Sequence, residues 1–420
     1  MIARRIEPTV REALADTPVV LIVGPRQVGK STLVLQLSDE TRDYITLDDP
    51  FELAMAVDQP AAFLRAHPTP STIDEVQRAP GLLLPMKQRV DQNRVAGAYL
   101  LTGSANVLTM PKVADSLAGR MQVIEMLPLS VGERIQAPDG LLDAIVERGF
   151  RPHTRRTPLP EVLQLLTQGG YPEAAQRTDP RRRAAWYGDY VRTILERDVR
   201  DLANIGRLHA LPNLLQHLAM HPAAVMSAST SAQMFGIPYS SVRRYLTLLQ
   251  RVYLTVELPA YSPPDGRQTT RSPKTYLLDS GLLAYLQNRE ALAVADSPEF
   301  ARVLETFVLG ELLKQRSWSP HRWQLSHLRT IRQHEVAFVL EGPNGDVYAI
   351  DVRPITDVRP QDTRGLDFLA ELVGPRFRAG VLLTLGAEVR PIGEHRWAAP
   401  IDALWYTPPT SSVPAAGSAL

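Results

Sequence analysis

The stretch VVLIVGPRQVGKSTLVLQLSD (residues 19–39) decides the fold, because it reads as an apolar strand, a glycine-bearing loop and a helix in direct succession. Its loop, GPRQVGKST (24–32), fits the pattern G-x-x-x-x-G-K-[ST]. Glycines at both ends let the backbone curl, so that its N–H groups and the helix start surround phosphate oxygens. The predicted nucleotide-binding residues are therefore Gly24, Pro25, Arg26, Gln27, Val28, Gly29, Lys30, Ser31 and Thr32.

Two side chains of this loop have specific expected roles. Lys30 is expected to reach the β- and γ-phosphates of ATP, and Ser31 to supply a hydroxyl to Mg²⁺. A second apolar strand, in STIDEVQR (71–78), ends in Asp74 and Glu75. We expect Asp74 to hold Mg²⁺, directly or through water, and Glu75 to polarise the attacking water. The added glutamate favours hydrolysis over binding alone.

A third strand offers polar groups at its carboxyl end. AYLLTGSAN (98–106) places Thr102, Ser104 and Asn106 where open α/β sheets bind ligands. One of these side chains would orient the water or sense the γ-phosphate. Capping of a following helix is an equally good use of Ser104 or Asn106.

Composition excludes several classes of chemistry. The 420-residue chain has no cysteine, which removes disulfides, thiolate metal sites and cysteine nucleophiles. Its formal net charge of +1 gives no overall attraction to nucleic acid, so any basic surface must be local. No apolar run approaches the roughly 18 residues of a membrane span. We therefore predict a soluble, cytoplasmic protein without membrane contact.

The chain divides by pattern into successive regions. Five apolar strands alternate with helical patterns in the first third, which predicts an open, largely parallel α/β sheet. A helical pattern follows, then a short helix-turn-helix pattern and a second mixed α/β region. The predicted domains are a P-loop core (1–130), a helical subdomain (131–222), a winged helix (223–262), a second α/β domain (263–406) and a disordered tail (407–420).

Several motifs together resemble one family. GPRQVGKST, LDD, IDEVQR, LLTGSAN, SLAGR, LPLS and GGYPEA occur in the order and spacing of bacterial and archaeal AAA-type ATPases in which a winged helix and a nuclease-like domain follow the ATPase core. This resemblance covers nearly the whole chain. It implies that Arg120 of SLAGR and Arg197 of LERDV are candidates for a phosphate-sensing or finger arginine, which is often supplied by a neighbouring subunit. The alternative for each is a salt bridge, such as Arg197 with Asp201.

Residues 227–262 also predict a winged helix from their own pattern. A short helix, a turn at Gly236–Pro238 and a second amphipathic helix precede a strand. The second helix would begin with the residues that contact DNA in such motifs, here Ser240, Ser241, Arg243 and Arg244. This helix carries few basic residues, and many winged helices pack against protein and not against DNA. DNA and a protein partner both remain open.

The resemblance further implies a C-terminal domain similar to restriction endonucleases. Its residual site would comprise Glu305 in LETFVLGELL, Glu335 in HEVAFVL, and Asp351 and Arg353 in AIDVRPI. The family pattern has Asp where this chain has Ala337, which cannot bind a metal. It has Lys where this chain has Arg353, which stays protonated and cannot act as a base. The prediction is a nuclease fold without efficient nuclease activity, in which these four residues persist as a buried charge network.

Three functions follow from these patterns. The first is an ATP- and Mg²⁺-dependent machine associated with DNA. The second is a nucleotide-gated switch that binds a protein partner, and the third is an active Mg²⁺-dependent nuclease, in which nearby carboxylates would complete the metal site. An arginine finger supplied in trans would also imply a homo-oligomer.

Overall fold

The computed structural model describes residues 2–38, 40–104, 117–147, 149–199, 210–263, 271–289, 299–330 and 334–409. Its first third forms a parallel sheet with the strand order β2-β3-β4-β1-β5. The strands are β1 Val19–Val23, β2 Asp43–Thr46, β3 Ser71–Asp74, β4 Tyr99–Gly103 and β5 Met121–Glu125. The helices of this region are α1 Glu7–Asp16, α2 Lys30–Leu37, α3 Pro50–Asp58, α4 Pro60–Ala66 and α5 Leu83–Gln92.

The predicted α/β class and the five parallel strands are confirmed. Every residue of β1 is buried, because helices cover both faces of the sheet, and this explains why its sequence is continuously apolar. All five strands run in the same direction, so their carboxyl ends meet at one edge. That edge carries the residues that the sequence motifs predict for nucleotide chemistry.

A helical region follows this sheet. Its helices are α6 Val131–Ile135, α7 Leu141–Ala144, α8 Leu159–Gln168, α9 Pro172–Ala175, α10 Pro180–Thr193 and α11 Ala210–Met220, and a π-helical turn, Ile194–Asp198, continues α10. The GGYPEA motif has a structural use here. The Gly170 N–H and the Tyr187 hydroxyl donate 2.7 Å and 2.9 Å bonds to the buried carboxylate of Asp279, which ties this region to the next.

A helix-turn-helix and a small antiparallel sheet come next. The elements are β6 Ala224–Val225, α12 Ala228–Phe235, α13 Tyr239–Arg251, β7 Thr255–Leu258 and β8 Lys274–Leu277, with the strand order β6-β8-β7. The sequence pattern ends this unit at residue 262. Because β8 pairs with β7, however, the sheet extends to Leu277. The proline-rich segment from Pro263 thus lies, in sequence, between two strands that pair with each other.

The last region contains a six-stranded mixed sheet with the order β13-β14-β12-β11-β10-β9. Its strands are β9 Gln324–Arg329, β10 Glu335–Glu341, β11 Val347–Val352, β12 Phe377–Thr384, β13 Arg390–Gly393 and β14 Arg396–Pro400. The helices are α14 Ser280–Leu286, α15 Phe300–Trp318, α16 Arg364–Val373 and α17 Ala403–Tyr406. The long helix α15, in which 13 of 19 residues are buried, lies between this sheet and the helical region.

Contacts at the C-terminal end extend into the predicted tail. Thr407 is buried, and its carbonyl oxygen accepts a 2.9 Å bond from the Gly140 N–H. The remaining part of that predicted disordered tail, 410–420, lies outside the described residues. Among the helices within the described ranges, none combines the length and apolarity that crossing a bilayer requires.

Candidate functional site

The predicted phosphate loop joins β1 directly to α2. Gly24 has φ +154°, and a Cβ added there would lie 2.1 Å from the carbonyl oxygen of Met126. Gln27 and Gly29 adopt φ 61° and 93°, so the backbone turns sharply before α2 begins at Lys30. Ser31 is half-buried and Thr32 is exposed in the first helical turn. The loop therefore has the curled backbone that phosphate binding requires.

Lys30 is folded back onto its own loop. Its Nζ donates to the carbonyl oxygens of Pro25 and Gly24, at 2.7 Å and 3.1 Å. Burial lowers the pKa of this ammonium to about 8, although the nearby carboxylates of Glu75 and Asp74 act in the opposite direction. The two carbonyl contacts hold a buried cation that phosphate oxygens would stabilise better.

Thr102 at the end of β4 holds both predicted carboxylate residues. Its hydroxyl donates to Oδ1 of Asp74 and accepts a 3.0 Å bond from the Glu75 N–H. The hydroxyl of Tyr44 donates a 2.9 Å bond to Oδ2 of Asp74. Burial, followed by the charge of Asp74, raises the pKa of Tyr44, so its hydroxyl remains a donor. Asp74 is thus fixed from both neighbouring strands.

Glu75 adopts the left-handed conformation, with φ 63°, directly after β3. The amide of Gln77 donates to its carboxylate and accepts a 3.3 Å bond from the Ser104 N–H. Ser104 is half-buried at the same sheet edge, and Asn106 lies outside the described residues. Sequence reasoning missed Gln77, although it follows Glu75 by two positions in the same motif.

Arg4 is a second residue that sequence reasoning missed. Its buried guanidinium bonds to the Val28 carbonyl in the phosphate loop, the Leu127 carbonyl and the carboxylate of Glu133, at 2.7, 2.7 and 2.9 Å. Glu133 also completes a capping box with Ser130 at the start of α6. The LPLS motif is therefore connected to the phosphate loop through Arg4. No local pattern in the sequence links Arg4 to a partner 129 residues away.

The open side of the phosphate loop is covered by two distant segments. Arg26 in the loop donates a 2.6 Å bond to the carboxylate of Asp198 in the π-helical turn. The narrow cleft between them is lined by Gly24, Pro25, Arg26, Ser104, Ile194, Asp198, Arg251, Val252 and Tyr253. The end of α13 in the helix-turn-helix thus faces the predicted nucleotide site.

The two arginines implied by family resemblance lie elsewhere. Arg120 is ion-paired with Asp91, and its carbonyl oxygen accepts from the N–H of Val19, at the amino ends of β5 and β1. Since β5 has five residues, roughly 16 Å separates Arg120 from the nucleotide edge of its own sheet. Arg197 is exposed and does not line the cleft, whereas Asp198 beside it does. Asp201, its alternative partner, lies outside the described residues.

The predicted contact residues of the helix-turn-helix lie together at the start of α13. Ser240, Arg243 and Arg244 are exposed, and Ser241 is half-buried. The opposite face of the helix packs inward through Val242, Tyr245, Leu246, Leu248 and Leu249. The start of α13 is therefore exposed to solvent, while its other end faces the phosphate loop.

The predicted C-terminal charge network forms around a lysine that sequence reasoning missed. Lys274 of β8 is buried, and its Nζ lies 2.8 Å from Glu305 and 2.6 Å from Glu335. Tyr276 donates a further 2.5 Å bond to Glu305. Burial disfavours both charged forms, but the pairing outweighs it, so the pKa of Lys274 is raised and that of Glu335 is lowered.

Asp351 on β11 and Arg353, which directly follows that strand, form a second ion pair among the predicted residues. Asp351 accepts a 3.0 Å bond from the Ala337 N–H and lies 3.2 Å from the guanidinium of Arg353. Burial raises the pKa of Asp351 despite that cation. Within the part of the chain that the structure describes, no three His, Asp or Glu residues are arranged to hold a metal ion.

Comparison with known families agrees with this geometry. Residues 16–135 match a family model described as an AAA domain. Residues 159–293 and 300–404 match two domains of unknown function, DUF8612 and DUF4143. The chain is therefore similar to AAA domains over residues 16–135 and to two domains of unknown function over most of the remainder.

Similar proteins occur in bacteria and archaea. An uncharacterized protein of Mycobacterium tuberculosis is 28% identical over 346 residues, covering 82% of this chain and 72% of the relative. An uncharacterized protein of Methanocaldococcus jannaschii is 22% identical over 365 residues, covering 83% and 78%. Among solved structures, AMPPCP-bound DnaA from Aquifex aeolicus is 15% identical, covers 58% of this chain and 86% of DnaA, and superposes with a TM-score of 0.28.

Proposed function

We propose that this chain is a Mg²⁺-dependent ATPase whose hydrolysis cycle moves the helix-turn-helix and the C-terminal domain. One observation carries the proposal: Thr102 orients the carboxylate of Asp74 and the backbone of Glu75 at the sheet edge where Lys30 begins α2. A loop that only bound nucleotide would not need a second, separately positioned carboxylate. Glu75 is therefore assigned as the residue that activates water.

The residues at this edge fit ATP and Mg²⁺. Lys30 and the loop N–H groups would hold the phosphates, and Ser31 and Asp74 would hold the metal. Asp74 already accepts one hydrogen bond on each carboxylate oxygen, which leaves further lone pairs for a metal or its water. Bound Mg²⁺ supplies charge stabilisation at the transferred phosphoryl group.

ATP turnover tests the proposal directly. We expect Lys30→Ala to lose nucleotide binding and Glu75→Gln to bind ATP but to lose most of its turnover. Lys87→Ala and Glu161→Gln are matched controls outside the site. If Lys30→Ala bound and hydrolysed ATP like the wild type, the assignment would be wrong.

DNA is the ligand that we propose for the helix-turn-helix, which we interpret as a winged helix. Arg243 and Arg244 are exposed at the start of α13, where phosphate and base contacts are made in such motifs. A protein partner is the second candidate, because Met234 and Tyr239 beside this end are 59% and 54% exposed. DNA-stimulated hydrolysis that is lost in Arg243→Glu/Arg244→Glu would favour DNA. Turnover unaffected by DNA would favour the protein partner.

For the C-terminal domain, we propose a nuclease-like fold without efficient nuclease activity. The support is the ammonium of Lys274, which bridges Glu305 and Glu335, together with Ala337 in place of a ligand. Mg²⁺-dependent DNA cleavage by the wild type that disappears in Asp351→Ala would contradict this proposal.

Homo-oligomerisation is also proposed, because Arg120 lies too far from the phosphate loop of its own chain to contact a γ-phosphate there. A neighbouring subunit could present it in trans. Mass measurement with and without ATP, together with turnover by mixtures of Arg120→Ala and Lys30→Ala chains, tests this role. Activity restored by mixing would support it, and a monomer under turnover conditions would exclude it.

A further inference from the structure

A second cleft lies between three helices, away from the phosphate loop. It has a volume of about 600 Å³ and is lined by parts of α8, α10 and α14 with the segments beside them. This volume falls within the roughly 300–1,000 Å³ of sites that hold small ligands. The cleft lies at the start of α10, whereas the far end of that helix continues into the turn that carries Asp198. Roughly 20 Å of helix therefore separates the cleft from the ion pair of Asp198 with Arg26.

Positive charge dominates the lining of this cleft. Arg181, Arg183 and Arg289 line it, and no aspartate or glutamate does so among the residues that the structure describes. Arg289 is balanced by Glu299, which lies 3.1 Å away. Within the described ranges, Arg181 and Arg183 have no carboxylate at ion-pairing distance. The cleft therefore has an excess of positive charge and attracts anions.

Arg183 is held in position by the segment that precedes α10. Its half-buried guanidinium donates a 2.9 Å bond to the Arg177 carbonyl oxygen, which uses one of its five N–H donors. Burial lowers its pKa, but an arginine remains charged in a folded protein. The nearby Asp179 accepts a 2.8 Å bond from the Arg181 N–H as the cap of α10, and it does not line the cleft. A phosphate group would supply the negative charge and the acceptor oxygens that a half-buried guanidinium requires.

Two tyrosine rings form an aromatic wall of the cleft. Tyr187 is buried and Tyr285 is half-buried, and their rings stack with centroids 6.1 Å apart and planes at 21°. The Tyr187 hydroxyl donates to Asp279 and to the Gln168 carbonyl oxygen, at 2.9 Å and 3.0 Å, which fixes the inner ring. A Cβ added at Gly188 would lie 2.8 Å from the Tyr285 hydroxyl oxygen, so glycine lets the outer ring approach α10. A fixed ring of this kind can pack against a nucleobase.

We propose that this cleft is a second nucleotide site, which binds a nucleoside phosphate with its phosphates on Arg181 and Arg183 and its base against Tyr285. Exposed amides of Gln164 and Asn288 at the same cleft supply donors and acceptors for the edge of a base. The site is independent of the proposed ATPase function, since it shares no residue with the phosphate loop.

A single-stranded nucleic acid is the other ligand that arginines and an aromatic ring can bind. A strand requires a row of cations that continues along its backbone. Arg182, the exposed neighbour of the two lining arginines, does not line the cleft. The confined volume and the position of Arg182 therefore favour a ligand of nucleotide size.

Calorimetric titration of the full chain tests the site. Lys30→Ala in EDTA is used to remove binding at the phosphate loop, and the probes are ADP, GDP, CDP, UDP and pyrophosphate. We expect at least one nucleoside diphosphate to bind a single site per chain with a dissociation constant of about 1 mM or lower. If none of the four bound, the proposal would be wrong.

The neighbouring arginines provide a matched control. In the Lys30→Ala background, Arg183→Ala should weaken nucleotide binding about 10-fold or more. Arg181→Ala, at an exposed position where folding is not at risk, should weaken it roughly 3- to 10-fold. Arg182→Ala removes the same charge outside the cleft and should leave the affinity unchanged. An equal loss in all three variants would indicate a general charge effect and overturn the site.

Two further probes test the kind of ligand. Tyr285→Leu should weaken the nucleotide about 5-fold or more and leave pyrophosphate binding unchanged. Pyrophosphate that bound as tightly as every nucleotide would overturn the assignment to a nucleoside phosphate. A fluorescent single-stranded oligonucleotide of roughly 12 nucleotides is the second probe. If it bound through Arg181, Arg182 and Arg183 together while no mononucleotide bound, the ligand would be a strand and the proposal would fail.

The experiments also distinguish this site from the ATPase proposal. If turnover were lost in Lys30→Ala and no nucleotide bound to that variant, only the second site would be wrong. If Lys30→Ala left turnover unchanged, the ATPase assignment would fail, while the comparison of Arg182→Ala with Arg183→Ala would still measure binding in the cleft.

Discussion

Arg26 of the phosphate loop and Asp198 of the π-helical turn form a 2.6 Å ion pair between segments 172 residues apart. Asp198 thereby places a carboxylate beside the loop that is expected to bind a polyphosphate. The negative charge of Asp198 also acts to raise the pKa of Lys30, but burial lowers that pKa more strongly. In the nucleotide-free loop, Asp198 provides the negative charge that phosphates would otherwise bring.

Asp198→Asn should therefore bind ATP more tightly. Removing one negative charge beside Arg26 and Lys30 is expected to lower the dissociation constant roughly 5-fold, or about 1 kcal/mol. Nucleotide titration at low and high salt measures the change, and the gain should shrink as salt screens the charge. Asp189→Asn, on the exposed face of α10, is the control. Unchanged or weaker binding would show that the ion pair supports the loop and does not compete with phosphate.

Thr102→Val should reduce turnover without a comparable loss of binding. Valine has a similar shape but cannot bond to Asp74 or to the Glu75 N–H, so both carboxylates would lose their orientation. We expect kcat to fall ~10- to 100-fold, as is typical for residues that orient a ligand or base, while the nucleotide dissociation constant changes little. Steady-state rates and nucleotide titration separate the two quantities. Thr102→Ser should retain most activity, and a wild-type rate in Thr102→Val would refute the role.

The local parts of the site could be predicted from the sequence, and the contacts between distant segments could not. Lys30 and Asp74 belong to motifs in which strand, loop and helix are contiguous, so a short window contains the whole signal. Arg26 and Lys274 gain their partners only when separate regions pack together. Arg120 belongs to a local motif, but the motif does not reveal its position in the fold. It lies at the amino ends of β1 and β5, opposite the nucleotide edge of the sheet.

The Lys274 network shows how such a contact joins two regions. Lys274 belongs to the small sheet of the helix-turn-helix, whereas Glu305 and Glu335 belong to α15 and β10. Family resemblance supplied the carboxylates and predicted that they would persist as a charge network. The cation that neutralises them comes from a strand that the sequence pattern places outside the winged helix.

Lys274→Met should destabilise the C-terminal region by about 3 kcal/mol, because it leaves half-buried Glu305 without its cation. Urea unfolding followed by tryptophan fluorescence measures the loss. Glu305→Gln in the same chain should restore part of the stability, since the remaining side chain is neutral. Lys87→Met is the control. If the double variant were no more stable than Lys274→Met, the two side chains would not be coupled.

His327 should make the C-terminal region sensitive to mild acid. Its ring is buried beside β7, where Nε2 lies 3.1 Å from the Ser272 carbonyl oxygen. Burial, and then the nearby charge of Lys274, lowers its pKa from 6.5 to about 4. Of the other charged neighbours, Glu335 raises the pKa and Arg329 lowers it.

The sign of the effect follows from which state binds the proton first. Between pH 6.5 and 4 the unfolded chain protonates this histidine and the folded chain does not, so stability is complete above pH 6.5 and falls as the pH decreases. The expected loss from this group is about 2 kcal/mol on going from pH 7.5 to pH 5. Urea unfolding at the two pH values should show a smaller difference in His327→Gln, while the exposed control His395→Gln should behave like the wild type. An identical pH dependence in His327→Gln and the wild type would mean that other groups cause the acid sensitivity.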